Sequence, residues 1–328
     1  MAKKLRKQDL GELQSSFKEL SDFLSCPFEE AQSVVETAIA SGECARETSS
    51  VLEWIETRFI PNVVFIDHLG YAEMCINALR TVPRITATDF GSSRQRDLGQ
   101  LWADMTRGYL GELAVKRYIE REFAIAISLG HELGDLEDFL NSDIKEVTLN
   151  GVTRPPHVAV GIKTMKINAL WLDIPNAQFL HSDFHISVKV KAPRDHLFSF
   201  FKSISVFKDK VLKLGTDHAL ITADESERIF TEIPDFGRIA AYVCGFVPQH
   251  APYRDLDYGG RKGTKNFTVT SWNGPLRDGD FERIRTRESA HRVQLEGIGQ
   301  LSHDQGYLFN SGSLRWRPDD WKEFVDQL

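Results

Sequence analysis

The sequence predicts an α/β (α+β) fold: a mixed sheet flanked by helices, with an α-helical N-terminal region and a mixed C-terminal extension. Apolar residues recur every three or four positions in residues 8–60 and 95–123, which is the helical period. Apolar and polar residues alternate in short runs within residues 143–191, which is the strand period. We expect a helical N-terminal region, a core and a mixed C-terminal region at residues 1–90, 91–215 and 216–328.

The composition is that of an ordinary globular protein, with 41% of the 328 residues hydrophobic and 27% charged. Four cysteines are scattered without CxxC spacing, which argues against a disulfide framework and for a reducing compartment. No apolar run approaches the roughly 20 residues that a membrane-spanning helix needs. We therefore expect a soluble, cytoplasmic protein with no membrane contact.

The N-terminal region has the periodicity of three amphipathic helices. The first apolar stripe runs through Phe17 and Leu24, and a second follows Pro27, a residue favoured in the first turn of a helix. Gly42 ends the second helix, and Ser49 or Ser50 is a plausible cap for the third. These helices fit packing, dimerisation or DNA recognition equally well.

A long helix is predicted from about Gln95 to Phe123. Its apolar stripe consists of Leu98, Trp102, Met105, Tyr109 and Leu113. Gly108 and Gly111 each cost about 1 kcal/mol against alanine in a helix, so they predict that another backbone approaches closely. Glu112 lies at the margin of the stripe, as either a surface acid or an inward-pointing ligand.

Strands are predicted on either side of a hairpin after Asp143. Asn150-Gly151 and Pro155-Pro156 supply the turn residues. Alternation sets Lys163 on the face of its strand that carries small residues, beside an open groove. In the last strand of this stretch, alternation predicts a buried apolar face and an opposite face that carries His185, Ser187, Lys189 and Lys191.

Positive charge is concentrated locally although the net charge is −7. Residues 186–215 hold seven lysines and arginines against two acids, an excess that can face a polyanion. A second basic stretch, Gly259 to Lys265, lacks the spacing of a nucleotide-binding P-loop. Arg261, Lys262 and Lys265 fit a nucleic-acid backbone or an ordinary solvated loop.

The order of these elements resembles the PD-(D/E)XK nuclease superfamily, the restriction-endonuclease-like fold, over about residues 95–205. The resemblance consists of a helix with Glu112, a strand headed by Asp143, a hairpin, and a strand with Gly161 and Lys163. The family motif has an acid two residues before the lysine, where this chain has Gly161. Glu112 is the natural replacement for that acid, Asp173 a second candidate and Gln178 a weaker one.

The resemblance implies a Mg²⁺ site held by Asp143, Glu112 and the carbonyl of Ile162, with catalytic roles for Asp143, Lys163 and Glu112. Phosphodiester hydrolysis needs an activated water and neutralised phosphate charge, and carboxylate-bound Mg²⁺ supplies both. A lysine beside the metal can orient the water. Each residue also has a purely structural interpretation: Asp143 as a strand cap, and Lys163 and Glu112 as surface charges.

A competing metal site lies in the same stretch. His181, Asp183 and His185 are spaced two apart, so an extended segment would turn all three to one side. Two histidines and a carboxylate are a ligand set for Fe²⁺ or Zn²⁺, to which His157 and His196 could add. A solvated histidine cluster is the alternative.

The resemblance implies a Mg²⁺-dependent, sequence-specific endonuclease of double-stranded DNA, like a type II restriction enzyme. We expect a homodimer, because palindromic cutting needs two active sites, and a companion DNA methyltransferase. The expected DNA contacts are Lys189, Lys191, Arg261, Lys262, Lys265, Arg283 and Arg285. The alternative is a non-catalytic DNA-binding protein with a degenerate nuclease fold.

Overall fold

A four-stranded mixed sheet lies at the centre of the protein. The structure, a computed structural model, describes residues 11, 13–85, 97–130, 142–251, 254–257, 271–274 and 305–328. The strands, in spatial order, are β1 (Val63–Ile66), β8 (Ile239–Pro248), β7 (Phe184–Lys191) and β5 (Val160–Lys166). β5 and β7 are parallel, and the other two pairs are antiparallel. The sheet draws strands from all three predicted regions, so the boundaries at residues 90 and 215 do not separate independent sheets.

Two smaller sheets accompany the central sheet. One contains, in spatial order, β6 (Trp171–Pro175), β11 (Gln305–Asn310), β10 (Ser271–Gly274) and β9 (Arg254–Asp257). The other contains β2 (Ala126–Leu129), β3 (Ile144–Leu149) and β4 (Val152–Arg154). Asn150 and Gly151, both at positive φ, make the β3–β4 turn, which confirms the predicted hairpin.

The helices are amphipathic, as the sequence predicts. They are α1 (Gln14–Leu24), α2 (Phe28–Ser41), α3 (Thr48–Trp54), α4 (His68–Ile85), α5 (Leu98–Phe123), α6 (Asn176–Phe179), α7 (His196–Ser203), α8 (Lys213–Asp217), α9 (Ala223–Glu232) and α10 (Pro318–Val325). π-Helical turns extend α3 over Ile55–Phe59 and precede α8 over Phe207–Leu212. Among the described residues, no helix combines the length and apolarity that a membrane span requires. The mixed α+β class is therefore confirmed.

Hydrophobic clusters cover both faces of the central sheet. On the first face, Ile186 and Val188 of β7 belong to a cluster with residues of α4, α5 and α10. On the second face, Tyr242 and Cys244 of β8 belong to a cluster with residues of α1, α2, α3 and β6. β7 is accordingly buried along almost its whole length.

The long helix α5 crosses β5 at Gly111. A Cβ on Gly111 would stand 1.8 Å from Oγ1 of Thr164, so only glycine permits this approach. Thr164 Oγ1 also donates a hydrogen bond of 3.0 Å to the carbonyl of Gly108. The predicted close approach is confirmed at Gly111, whereas a Cβ on Gly108 would meet nothing within 4 Å.

The second face of β7 carries the predicted basic residues, but they are not placed where DNA could contact them. Lys189 is 2% exposed, and its amine lies 2.8 Å from the carboxylate of Glu43, whose side chain is 0% exposed. Lys191 pairs with Glu30 of α2 at 3.1 Å. The N-terminal helices therefore cover this face and bring the acids that neutralise its lysines.

Glu43 is the centre of this buried network. Its Oε2 accepts hydrogen bonds from Trp54 Nε1 at 3.0 Å and from Tyr242 Oη at 2.7 Å. Burial would raise the pKa of Glu43, but the charges of Lys189 and Arg58 and the hydrogen bonds from Lys189 and Tyr242 outweigh it and lower the pKa to about 2. The carboxylate is thus charged in the folded protein at every moderate pH.

Removing only the positive partner of this pair should destabilise the fold. Lys189→Met leaves the Glu43 carboxylate buried with less compensation, and such a change costs about 3–5 kcal/mol in other buried pairs. The double variant Glu43→Gln with Lys189→Met should recover much of that loss, because a neutral amide replaces the charge. Urea unfolding of the three proteins measures both effects; equal stability of Lys189→Met and the wild type would contradict the role of the pair.

The same pair predicts an acid dependence of stability. Because the pKa of Glu43 falls from its ordinary value of 4.5 to about 2 on folding, its contribution is complete above about pH 4.5. The contribution is lost progressively as the pH falls toward 2. Between these values the free energy of unfolding should fall less steeply in Glu43→Gln than in the wild type, and parallel curves would contradict the lowered pKa.

Candidate catalytic site at the edge of strand β5

Asp143 immediately precedes β3 and binds the edge of β5. Its Oδ2 accepts a hydrogen bond of 2.5 Å from the backbone N–H of Ile162. Its own N–H donates to the carbonyl of Val160 at 2.8 Å, and Ser142 Oγ accepts from the N–H of Val160 at 3.1 Å. The structure therefore gives Asp143 a strand-capping role and holds its carboxylate against the Ile162–Lys163 segment.

Glu112 lies beside the point at which α5 crosses β5. It follows Gly111, which contacts Thr164 two residues after Ile162. Both Glu112 and Asp143 act electrostatically on the hydroxyl of Tyr109, which donates to Thr81 Oγ1 at 3.0 Å. Burial raises the pKa of Tyr109 to about 12, and the two carboxylates add to the rise against the Thr81 hydrogen bond. The charges of the two predicted acids thus act on the same buried phenol.

Ile162 and Lys163 face different directions on β5. The N–H of Ile162 points to the outer edge of the strand, and in extended backbone the carbonyl of the same residue points to that edge too. The Lys163 side chain lies on the second face of the sheet, opposite Ile162 and Thr164. It is half-buried, and its charge acts on His185.

The space beside Gly161 is occupied by His185. The two residues are neighbours in the β5–β7 register, and a Cβ on Gly161 would stand 2.8 Å from Nδ1 of His185 and 3.1 Å from Oγ of Ser182. An acidic side chain at residue 161 would collide with the imidazole. This packing leaves room only for glycine at residue 161.

Asp173 and Gln178, the other candidates for the missing acid, are exposed. Asp173 belongs to β6, where it pairs with Leu308 in the second sheet, and Gln178 belongs to the short helix α6. Neither is joined by a hydrogen bond or ion pair to Asp143, Glu112 or Lys163 in the part of the chain that the structure describes. Glu112 is therefore the better candidate.

The candidate ligands Asp143, Glu112 and the Ile162 carbonyl would all offer hard oxygen atoms. Two carboxylates and a main-chain carbonyl match what Mg²⁺ uses in proteins, where it keeps several waters. Within the described ranges, no group of three or more His, Cys, Asp or Glu side chains could hold a metal. Mg²⁺ uses few protein ligands, so two carboxylates and a carbonyl are the donor types that it would need.

The alternative triad of His181, Asp183 and His185 is not assembled. His181 is exposed, whereas His185 is 0% exposed and belongs to β7, which begins only at Phe184. Asp183 Oδ2 accepts from the N–H of Ala159 at 2.7 Å. This prediction is wrong because the segment before Phe184 is not extended, so spacing by two does not bring the side chains together.

His157 and His196 do not supply ligands to this triad. His157 is exposed and its N–H donates to the carbonyl of Leu328 at 3.0 Å, and His196 hydrogen-bonds through Nδ1 to the hydroxyl of Tyr71. Burial lowers the pKa of His196 to about 4, and Arg107 lowers it further against the effect of Asp195. His196 therefore belongs to the core between α4 and α7.

The predicted DNA contacts need correction at β7. Lys189 and Lys191 are largely buried and paired with acids of the N-terminal region, so neither is available to a phosphate backbone. Within residues 186–215, Lys202, Lys208 and Lys213 are also in ion pairs, with Asp235, Glu227 and Asp217. The predicted contacts outside the described residues are Arg261, Lys262, Lys265, Arg283 and Arg285.

Comparisons with known proteins find no relative. No family model matches the chain, and searches of curated proteins and of solved structures return no match.

The contact between Gly161 and His185 makes a testable prediction. Gly161→Ala should lower stability by about 1–3 kcal/mol, the usual cost of overpacking, because the new methyl group displaces the imidazole. In a His185→Ala background the same change should cost little. Gly237→Ala is the control, since a Cβ there would meet nothing within 4 Å. Thermal unfolding of the variants measures the coupling, and additive effects would contradict the contact.

Proposed function

We propose that the chain is a Mg²⁺-dependent endonuclease that hydrolyses phosphodiester bonds of double-stranded DNA, similar to type II restriction enzymes. The observation that carries this proposal is the hydrogen bond between Asp143 Oδ2 and the N–H of Ile162. It fixes a carboxylate against the strand that bears Lys163, and Glu112 acts on the same buried phenol as Asp143.

Asp143, Glu112 and the Ile162 carbonyl are the residues that would hold Mg²⁺. When bound there, Mg²⁺ would neutralise charge on the scissile phosphate and favour deprotonation of a water. Asp143 can hold its position because the backbone of β5 binds one of its carboxylate oxygens. Glu112 can hold its position because α5 packs rigidly on β5 through Gly111.

Lys163 would act on the phosphate and the attacking water. A lysine amine beside a phosphate offsets its developing negative charge, and a positioned amine also orients a water for attack. Its half-buried side chain lies on the face of β5 opposite Ile162, one residue along the strand from the N–H that binds Asp143. Lys163, which follows Ile162 in β5, is therefore the candidate for orienting the water. Asp143 and Glu112 are the candidates for binding the metal.

The proposed partner is double-stranded DNA. With Lys189 and Lys191 assigned to internal ion pairs, the remaining proposed backbone contacts are Arg261, Lys262 and Lys265, with Arg283 and Arg285 for base reading. A homodimer would bring two such sites to one duplex, and a companion methyltransferase would protect the host DNA. These three partners belong to the proposal as a whole.

A second candidate function is a non-catalytic DNA-binding protein. Gly161 favours it, because the strand that carries Lys163 supplies no carboxylate ligand where the resembled motif has one. The collision with His185 shows that the missing acid cannot be restored by a simple substitution. The two functions differ in whether DNA is cut or only bound.

Cleavage of supercoiled plasmid and phage DNA with Mg²⁺ distinguishes them. The wild type should give discrete fragments, and Asp143→Asn, Lys163→Met and Glu112→Gln should each lose about 100-fold or more in rate, as is usual for the loss of a charge-stabilising group. Lys166→Met, at an exposed lysine on the same strand, should cut normally. Asp173→Asn should also cut normally.

Two results would contradict the endonuclease. DNA that is retarded on a gel but never cut, with Mg²⁺ or Mn²⁺ present, would favour the binding protein. Cleavage that survives in Asp143→Asn and Lys163→Met would show that a contaminant or a different site cuts the DNA. Chelation of divalent ions should abolish genuine cleavage, and addition of excess Mg²⁺ should restore it.

A further inference from the structure

Two buried polar atoms on the second face of β7 have no hydrogen-bond partner within the described ranges. They are Nδ1 of His185 and Oγ of Ser187, both on residues that are 0% exposed. Buried polar atoms in native proteins are nearly always paired, with protein or with ordered water, because desolvation without a partner is costly. These two atoms therefore point to a bound molecule.

The orientation of the imidazole follows from its other nitrogen. Nε2 of His185 lies 3.0 Å from the carbonyl oxygen of Phe179, and a carbonyl only accepts, so Nε2 carries the proton. The ring is also stacked on Phe179, with centroids 4.7 Å apart. Nδ1 is thus an acceptor, and it faces the position where Gly161 lacks a side chain.

The imidazole is neutral at moderate pH. Burial lowers the pKa of His185 to about 4, and the charge of Lys163 lowers it further, against the hydrogen bond to Phe179. Nδ1 therefore keeps its lone pair under the conditions in which a nuclease would work. A neutral acceptor at this depth requires a donor.

Lys163 is the charged group next to this acceptor. In the register of β5 and β7, Gly161 pairs with His185 and Lys163 with Ser187, so all four lie on the same face. The described residues show no direct hydrogen bond between Lys163 and either His185 or Ser187. A molecule that accepts from the amine and donates to both partners would satisfy all three groups.

We propose that His185 and Ser187 together bind one ordered water that positions the amine of Lys163. The water donates one hydrogen to His185 Nδ1 and the other to Ser187 Oγ, and it accepts from Lys163 Nζ. Three hydrogen bonds are the typical number for a buried water. The inference rests on the proposed function, since it assigns His185 as a positioning residue for the lysine of that site.

A purely structural role for His185 makes a different prediction. If the ring only fills space beside Gly161 and stacks on Phe179, then every substitution should act through stability. If Nδ1 holds the water, then a variant that keeps an acceptor at that atom should keep the position of Lys163. Asparagine and glutamine separate the two roles, because the Asn amide reaches the position of Nδ1 and the Gln amide reaches that of Nε2.

The kinetic test compares His185→Asn with His185→Gln on plasmid DNA. His185→Asn should keep kcat within about threefold of the wild type, because its amide oxygen still accepts. His185→Gln should lose about tenfold or more in kcat with an unchanged KM, because the hydrogen bond that orients the charged amine is lost. Ser187→Ala should show a smaller loss of the same kind. Equal losses in the Asn and Gln variants, in proportion to their melting temperatures, would overturn the proposal.

The structural test does not depend on activity. A high-resolution crystal structure of the full chain should show a water within hydrogen-bond distance of His185 Nδ1 and Lys163 Nζ. In crystals of His185→Gln the water should be absent and Lys163 Nζ displaced. A wild-type crystal in which a protein group contacts Nδ1, or in which no water lies between it and Lys163, would overturn the proposal. Failure of the wild type to cut DNA would overturn the nuclease function, while this measurement would still decide the role of His185.

Discussion

The burial of β7 on both faces is the constraint on which the rest of the structure depends. Its second face is polar, so each side chain there needs a partner that the surrounding elements supply. The N-terminal region meets this requirement at one end of β7, where Glu43 forms an ion pair with Lys189. Because Tyr242 and Trp54 bind the same carboxylate, one ion pair connects the helical region, β7 and β8. The helical region and the sheet therefore fold as mutually dependent parts.

The candidate site depends on the same strand at its other end. His185 fills the space beside Gly161, which removes one acid from the site and leaves Lys163 beside a buried acceptor. Asp143 approaches from the outer edge of β5, which is the last strand of the central sheet among the described residues. An edge strand has backbone groups available for such contacts, and Asp143 uses the N–H of Ile162. The proposed ligand Asp143 thus lies at the outer edge of β5, whereas the Lys163 side chain lies on the second face of the sheet.

Much of the fold was predictable because its signals are local. Periodicity predicted α1, α2 and α5, and turn residues predicted the β3–β4 hairpin. The burial of Lys189 was not predictable, since an alternating polar face reads the same whether it meets water or a distant acid such as Glu43. The position of β8 between β7 and β1 is likewise a long-range pairing without a local signal. In the candidate site, the resemblance to a nuclease motif singled out Asp143, Glu112 and Lys163. No local sequence signal indicates that Nδ1 of His185 lies beside Gly161.

Asp143 and Glu112 are proposed to form one divalent-cation site at the edge of β5. Titration with Mn²⁺, which shares the preference of Mg²⁺ for oxygen ligands, tests this site when free Mn²⁺ is followed by electron paramagnetic resonance. We expect one bound ion per chain in the wild type and in Asp173→Asn, and weakened binding in Asp143→Asn and Glu112→Gln. Equal binding in all four proteins, or no binding by the wild type, would contradict it.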